Sequence, residues 1–260
     1  MPSKQSQRIL SFSGLERDYE QSRPSYPDAA LSHLHQVVSP LPCNRILDVG
    51  CGTGKFTRRL ARNFPVCNVF GSDVNADMLA QARRSSTSKK IQYLSFSAEK
   101  IPLKSNSFGC VTTAQAIHWF DKAKFFEEAQ HLLQPKGWVC VADNVRNWRI
   151  NAFLEAYEAF LERYSPDYDR DYRDLNYREI MEACGFHPNP DFTCEWTRPM
   201  TADRFVQFSC SSTRTQSALK IHGDGILEEL RALIKQHYGE ANVVVHYTTH
   251  LAMGQKTGST

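Results

Sequence analysis

Residues 46–54 read ILDVGCGTG: an apolar run, Ile46-Leu47-Asp48-Val49, that breaks into three glycines at every second position. The run has the length of a buried strand, and residues 55–64 (KFTRRLARNF) place Phe56, Leu60 and Phe64 four apart, as on one helix face. Gly50, Gly52 and Gly54 therefore make a turn from strand to helix. Glycine adopts positive φ without strain and lets a ligand approach the backbone. The helix that follows offers unpaired N–H groups at its start. A dinucleotide fingerprint would need its third glycine where Lys55 stands. A phosphate-binding P-loop would need a hydroxyl where Phe56 stands. An ordinary glycine-rich turn would not predict the next feature, a second strand ending in Gly71-Ser72-Asp73, where an acidic residue is placed to hold the two hydroxyls of a ribose.

Working outward, the alternation continues. Strand-like runs span Arg45–Val49, Val66–Phe70, Ile91–Phe96, Cys110–Ala114 and Trp138–Ala142. Between them lie a helical stretch with Met78, Leu79 and Ala82 and a helix Asp121–Leu133 that buries Phe125, Ala129 and Leu132 and stops at Pro135-Lys136-Gly137. This order predicts an α/β, Rossmann-like, doubly wound and mostly parallel sheet. After residue 145 the pattern changes. Residues 151–164 form an amphipathic helix, 165–177 a polar surface loop, and runs at 192–197 and 243–252 bracket helices near 201–210 and 224–238. We expect one domain over 1–260 with seven strands: an N-terminal extension (1–43), a cofactor-binding core (44–145), and cap helices plus the last two strands (146–260).

The 260 residues are 41% hydrophobic and 23% charged, with a net charge of +3, which argues against disorder and gives no basic nucleic-acid footprint. No run of about 18 apolar residues exists, so no membrane span is expected, and the polar N-terminus lacks a signal-peptide core. Eight cysteines, Cys51 among them, form no C-x-x-C pair, which points to reduced thiols in the cytoplasm. His33 and His35 stand two apart, on different faces of a helix, so no metal site is expected. The basic residues Arg83, Arg84, Lys89 and Lys90 read as a solvated connection.

Asp48-x-Gly50-x-Gly52-x-Gly54 after the first strand, Asp73 after the second, Ser97-Ala98-Glu99 after the third and Leu133-Gln134-Pro135-Lys136-Gly137 before the fifth resemble the class I S-adenosylmethionine-dependent methyltransferases. RDYEQSRPSYP (residues 17–27) and AQAIHWFD (residues 114–121) are similar to segments of the small-molecule methyltransferases related to trans-aconitate methyltransferase. Gly109 departs from that pattern, which usually has Asp there. The resemblance implies S-adenosyl-L-methionine as cofactor, held by Tyr19, Arg23, Asp48, Gly50, Cys51, Gly52, Gly54, Asp73, Val74, Met78, Ala98, Glu99, Gln115 and Ala116. Asp73 would take the ribose, Ala98 and Glu99 the adenine edge, and Gln115 and Ala116 the floor under the sulfonium.

It also implies a small-molecule methyl acceptor beside Arg23, Tyr26 and Trp119. A carboxylate or other oxygen is expected, since a guanidinium pairs well with a carboxylate. His118 is the candidate general base should the acceptor have to lose a proton, and otherwise orients its loop. An RNA or protein methyltransferase of the same fold, or a non-catalytic cofactor-binding member, are the alternatives.

Overall fold

The computed structural model describes residues 20, 22–165, 168–171 and 176–257. Its elements, in chain order, are α1 (Asp28–Val38), β1 (Arg45–Val49), α2 (Lys55–Asn63), β2 (Asn68–Ser72), α3 (Ala76–Ser85), β3 (Ile91–Leu94), β4 (Phe108–Ala114), α4 (Lys122–Leu132), β5 (Leu133–Arg146), α5 (Ala152–Tyr164), α6 (Tyr177–Ala183), β6 (Phe186–Pro188), β7 (Phe192–Met200), α7 (Ala202–Cys210), α8 (Thr213–His222), α9 (Gly225–Tyr238) and β8 (Val243–Lys256). Short 3-10 turns at Ile117–Trp119 and Trp148–Ile150 follow β4 and β5.

The strands run in the order β3-β2-β1-β4-β5-β8-β6, with β7 also on β8. The first five are parallel, and β8 is antiparallel to β5. The sheet has eight strands where seven were expected. The difference lies at one edge, where β6 and β7 pair with successive stretches of the same strand: Phe186 opposite Lys256 through Pro188 opposite Gly254, then Phe192 opposite Leu251 through Met200 opposite Val243. The two occupy one position in the sheet, divided at Asn189-Pro190-Asp191, where a proline has no N–H to continue a ladder.

Helices cover both faces, as buried parallel strands require. On one side α4 brings Phe125, Phe126, Ala129 and Leu132, and α6 brings Met181, against Leu47, Val49, Val111 and Val141. On the other, Leu31, Leu34 and Val38 of α1 and Phe56 and Leu60 of α2 pack on Ile46, Val69, Cys110 and Cys140. A third core lies beyond the parallel sheet. There α5, α7 and α9 close over Met200, Val243, Val245 and Tyr247, the ends of β7 and β8 that run past their neighbours. β8 records this change: its burial alternates from Val243 to His250, where one face meets the cap, and is continuous from Leu251 to Gly254, between helices.

Several boundaries differ from expectation for local reasons. Val66 is 71% exposed in a turn, and β2 begins only at Asn68. β5 begins at Leu133, so Pro135-Lys136-Gly137 is a kink inside the strand. Lys136 there has φ +65°, and the register shifts between Phe108 opposite Leu133 and Cys110 opposite Trp138. Helices α6 and α8 were not anticipated. Gly109 has a steric cause, since a Cβ there would stand 2.4 Å from the Cys43 carbonyl oxygen.

Candidate active site

The cleft lies across the carboxyl ends of β1–β5, where open parallel sheets bind ligands. Its centre is the loop after β1. Gly50, Gly52 and Gly54 have φ of +69°, +52° and +76°, a region that favours glycine. Gly50 also needs the space: a Cβ would lie 2.7 Å from Ala116 Cβ and 2.8 Å from Phe120. Gly54, the N-cap of α2, would meet the Tyr93 hydroxyl at 2.3 Å and does not itself line the cleft. Nothing lies within 4 Å of a Cβ built on Gly52, so the backbone there faces open space.

Two carboxylates set this loop. Asp48 is fully buried, accepting a 2.6 Å bond from Thr57 Oγ1 on α2 and a longer one from Thr112 Oγ1 on β4. Burial pushes its carboxyl up to about 7, against the lowering effect of those hydroxyls. It fastens strand to helix beneath the loop. Asp73 joins two loops: Oδ2 accepts from the Gly52 N–H and Oδ1 from the Asn75 N–H, both at 2.9 Å. A carboxylate has about four acceptor positions, so these bonds leave capacity for ligand hydroxyls. Burial raises the Asp73 carboxyl too. The Cys51 thiol, also raised well above its usual range by burial, is neutral and bonds the Gly52 carbonyl.

Val74, Met78, Phe96, Ala98 and Glu99 form the wall at the ends of β2 and β3. Asn75 caps α3 by accepting from the Asp77 and Met78 N–H groups, and Glu99 accepts from the Asp121 N–H at 3.1 Å. At the end of β4, Gln115 has φ +56°, rare for a residue with a side chain. It is held by its N–H to the Ala142 carbonyl and its side-chain amide to the Asn144 carbonyl, at 2.9 and 2.8 Å. That strain sits beside Ala116, at the cleft floor.

The other end of the cleft gathers groups from distant parts of the chain. Arg23 donates to the Ser211 carbonyl and lies 5.5 Å from the Phe208 ring centre; Tyr26 packs on Phe56 at 4.6 Å. Trp119 and Phe120 line the wall, whereas the His118 ring, 5.2 Å from Trp119, is not among the lining side chains. Tyr19 lies outside the described residues. Sequence reasoning missed Lys55, Asn144, Arg146, Phe208 and Tyr247. Lys55 donates to the Arg23 carbonyl at 2.9 Å, tying the entry segment to α2. Arg146 and Tyr247 stand opposite each other on β5 and β8. Only Lys55, as the unusual residue after Gly54, carried a signal in the sequence.

Three observations fit a nucleoside with an amino-acid tail: open space before Gly52, spare acceptor capacity on Asp73, and a buried Thr53 hydroxyl with no partner among the described residues. No group of three or more metal-binding side chains occurs among the described residues, and no helix there is long and apolar enough to cross a membrane.

Comparisons with known proteins agree. The methyltransferase-domain family model matches residues 47–141. An uncharacterized methyltransferase of Mycobacterium tuberculosis is 30% identical over 233 residues, covering 90% of this chain and 89% of its own. Among solved structures, a protein described as a type II methyltransferase, from Anaeromyxobacter dehalogenans, superposes with TM-score 0.71 at 22% identity over 91% of this chain and 99% of its own. Phosphoethanolamine N-methyltransferase 2 of Haemonchus contortus, solved with S-adenosylhomocysteine, does so with TM-score 0.55 at 17% identity over 99% of this chain and 61% of its own. Those likenesses speak for the fold, and the closer sequence match, joined to the glycine loop and Asp73, speaks for the reaction. The chain belongs to the class I S-adenosylmethionine-dependent methyltransferases.

Proposed function

We propose that this enzyme methylates a small molecule at a carboxylate oxygen. The observation that carries the reading is the make-up of the acceptor end. Arg23 and Tyr26 from the N-terminal segment, Trp119 and Phe120 after β4, and Phe208 from the cap line an aromatic part of the cleft with a guanidinium in its wall. Such a space suits a compact anion better than a nucleic-acid or protein surface. The net charge of +3 is small for a chain that would grip a nucleic-acid backbone.

S-adenosylmethionine supplies an electrophilic methyl group on a good leaving group, and the chain's residues supply position and dryness. Asp73 would accept the ribose hydroxyls, Val74 and Met78 would flank the adenine, and Ala98 and Glu99 would meet its edge. Gly50, Gly52 and Thr53 would receive the methionine portion on open backbone. Gln115 and Ala116 would form the floor, with the strained Gln115 backbone setting its height. Trp119, Phe120 and Phe208 would exclude water, and Arg23 would orient the acceptor carboxylate. A carboxylate has no proton to lose, so no base is required. His118, off the wall, would position the turn that carries Trp119.

The test is incubation with methyl-labelled S-adenosylmethionine and a metabolite extract, alongside RNA and denatured cellular protein. Label should enter a dialysable acid as a base-labile ester. Label confined to RNA or protein, or base-stable in the small-molecule fraction, would overturn the reading.

A further inference from the structure

Residues 22–26 form a strap that supplies Arg23, Pro24 and Tyr26 to the cleft wall. Residues 23–26 make no backbone–backbone hydrogen bond among the described residues. The strap is held from outside, by side chains of three elements far apart in sequence. Arg198 on β7 donates to the Ser22 carbonyl at 2.5 Å, Lys55 on α2 to the Arg23 carbonyl at 2.9 Å, and Asn144 on β5 to the Ser25 carbonyl at 3.3 Å. Just upstream, Arg58 pairs with Glu20 at 2.6 Å. A segment with no ladder of its own and a few tethers opens at far lower cost than the sheet beside it. Tyr26, buried and packed on Phe56, anchors one end, and Pro24 has a fixed φ that stiffens the middle.

Arg198 stands apart among these tethers. Lys55 and Asn144 line the cleft, and Arg198 does not. Its backbone is fixed in the sheet, opposite Val245 of β8, and its guanidinium reaches out to the strap. Burial lowers the Lys55 ammonium, and Arg198 and Arg58 lower it further while Glu20 opposes them. Two neighbouring cations, Arg198 and Lys55, therefore converge on successive carbonyls of the strap. The carbonyl dipoles offset part of their repulsion, and that compensation exists only while the strap is in place.

We propose that Arg198 is a positioning residue that latches residues 22–26 over the bound cofactor, so that S-adenosylmethionine enters and S-adenosylhomocysteine leaves only when its bond to Ser22 is broken. Arg198 lies off the cleft wall and holds neither molecule. The latch therefore acts on opening of the empty and the filled cleft alike, and its loss speeds entry and exit by the same factor. A residue that gripped the cofactor would instead change exit and affinity together. This role requires only the cofactor and stands whichever atom the enzyme methylates.

The experiment follows S-adenosylhomocysteine binding to the full chain by stopped-flow tryptophan fluorescence, with Trp119 of the cleft wall as reporter. Wild type, Arg198→Met and Arg198→Lys are compared, with Kd from calorimetry and Tm from melting. Arg198→Met keeps most of the stem and removes the charged donor. Its association and dissociation rate constants should both rise about tenfold, the worth of one hydrogen bond to a charged group, with Kd within about twofold of wild type. Arg198→Lys keeps the charge but loses the guanidinium fork. It should show both rises at smaller size, and it carries the test if Arg198→Met does not fold. Unchanged rates in Arg198→Met, or in Arg198→Lys where only that variant folds, overturn the latch. So does faster dissociation alone with Kd weakened to match, which would make Arg198 a cofactor-holding group.

Discussion

At the scale of single residues, the site depends on two carboxylates with different duties. Asp73 faces the cleft, and its bonds to the Gly52 and Asn75 N–H groups aim it there. Asp73→Ala should weaken S-adenosylhomocysteine binding by at least about 1.5 kcal/mol for each charged hydrogen bond lost, read by calorimetry; unchanged affinity would remove Asp73 from the ribose. Asp48 acts on the fold. Its carboxyl is raised from 3.8 to about 7 by burial, so the folded state holds a proton that the unfolded chain gives up. The stabilisation is therefore full below about pH 4 and is lost as pH rises toward 7, amounting to roughly 4 kcal/mol across the interval. Asp48→Asn removes that titration, so its urea stability should fall less than the wild type's between pH 4 and 7, and parallel curves would refute the assignment. His118→Gln should leave the acid limb of the pH–rate profile in place, since a carboxylate acceptor needs no base. Loss of that limb would restore His118 as the base.

At the scale of elements, the glycine loop and the first five strand positions were readable, because buried parallel strands are short apolar runs and the turn between strand and helix needs glycine. What escaped was set by distant contacts. β6 is three residues long and exists only because β8 passes beside it. Tyr247 and Arg146 lie about a hundred positions apart in sequence and meet only through strand register. Helix α8, TRTQSALKIH, buries little more than Thr215 and Ala218, too thin a stripe to recognise. Gly109 illustrates the same limit. Its departure from the family pattern looks arbitrary until the Cys43 carbonyl is seen 2.4 Å from where a Cβ would stand. Gly109→Ala should therefore cost about 2–3 kcal/mol through forced movement of the segment before β1, measured by urea unfolding. A neutral substitution would mean that this segment is not closely packed on β4.

At the scale of the whole molecule, the cap grows out of the sheet, because β7 and β8 run past their neighbours and α5, α7 and α9 close over their ends. One buried ion pair lies at that junction. Arg146, at the end of β5, meets Glu158 of α5 at 2.6 Å, with the Glu158 side chain only 2% exposed, and Tyr168 donates to the same carboxylate. Arg146 also lies 5.2 Å from the Tyr157 ring centre, so the pair orients a wall of the cleft while joining cap to sheet. Removing one partner of such a pair leaves a buried charge uncompensated and typically costs about 3–5 kcal/mol. Glu158→Gln keeps the shape and some hydrogen bonding, so the lower end, about 3 kcal/mol, is expected. The loss should concentrate in the cap: limited proteolysis should cut first within residues 151–240, while 45–142 persists. Replacing both charges, Arg146→Met with Glu158→Leu, should recover much of the stability, because no charge is then stranded. If Glu158→Gln matches the wild type in urea and in cleavage pattern, the pair does not hold cap to sheet, and the wall at Tyr247 must owe its position to strand register alone.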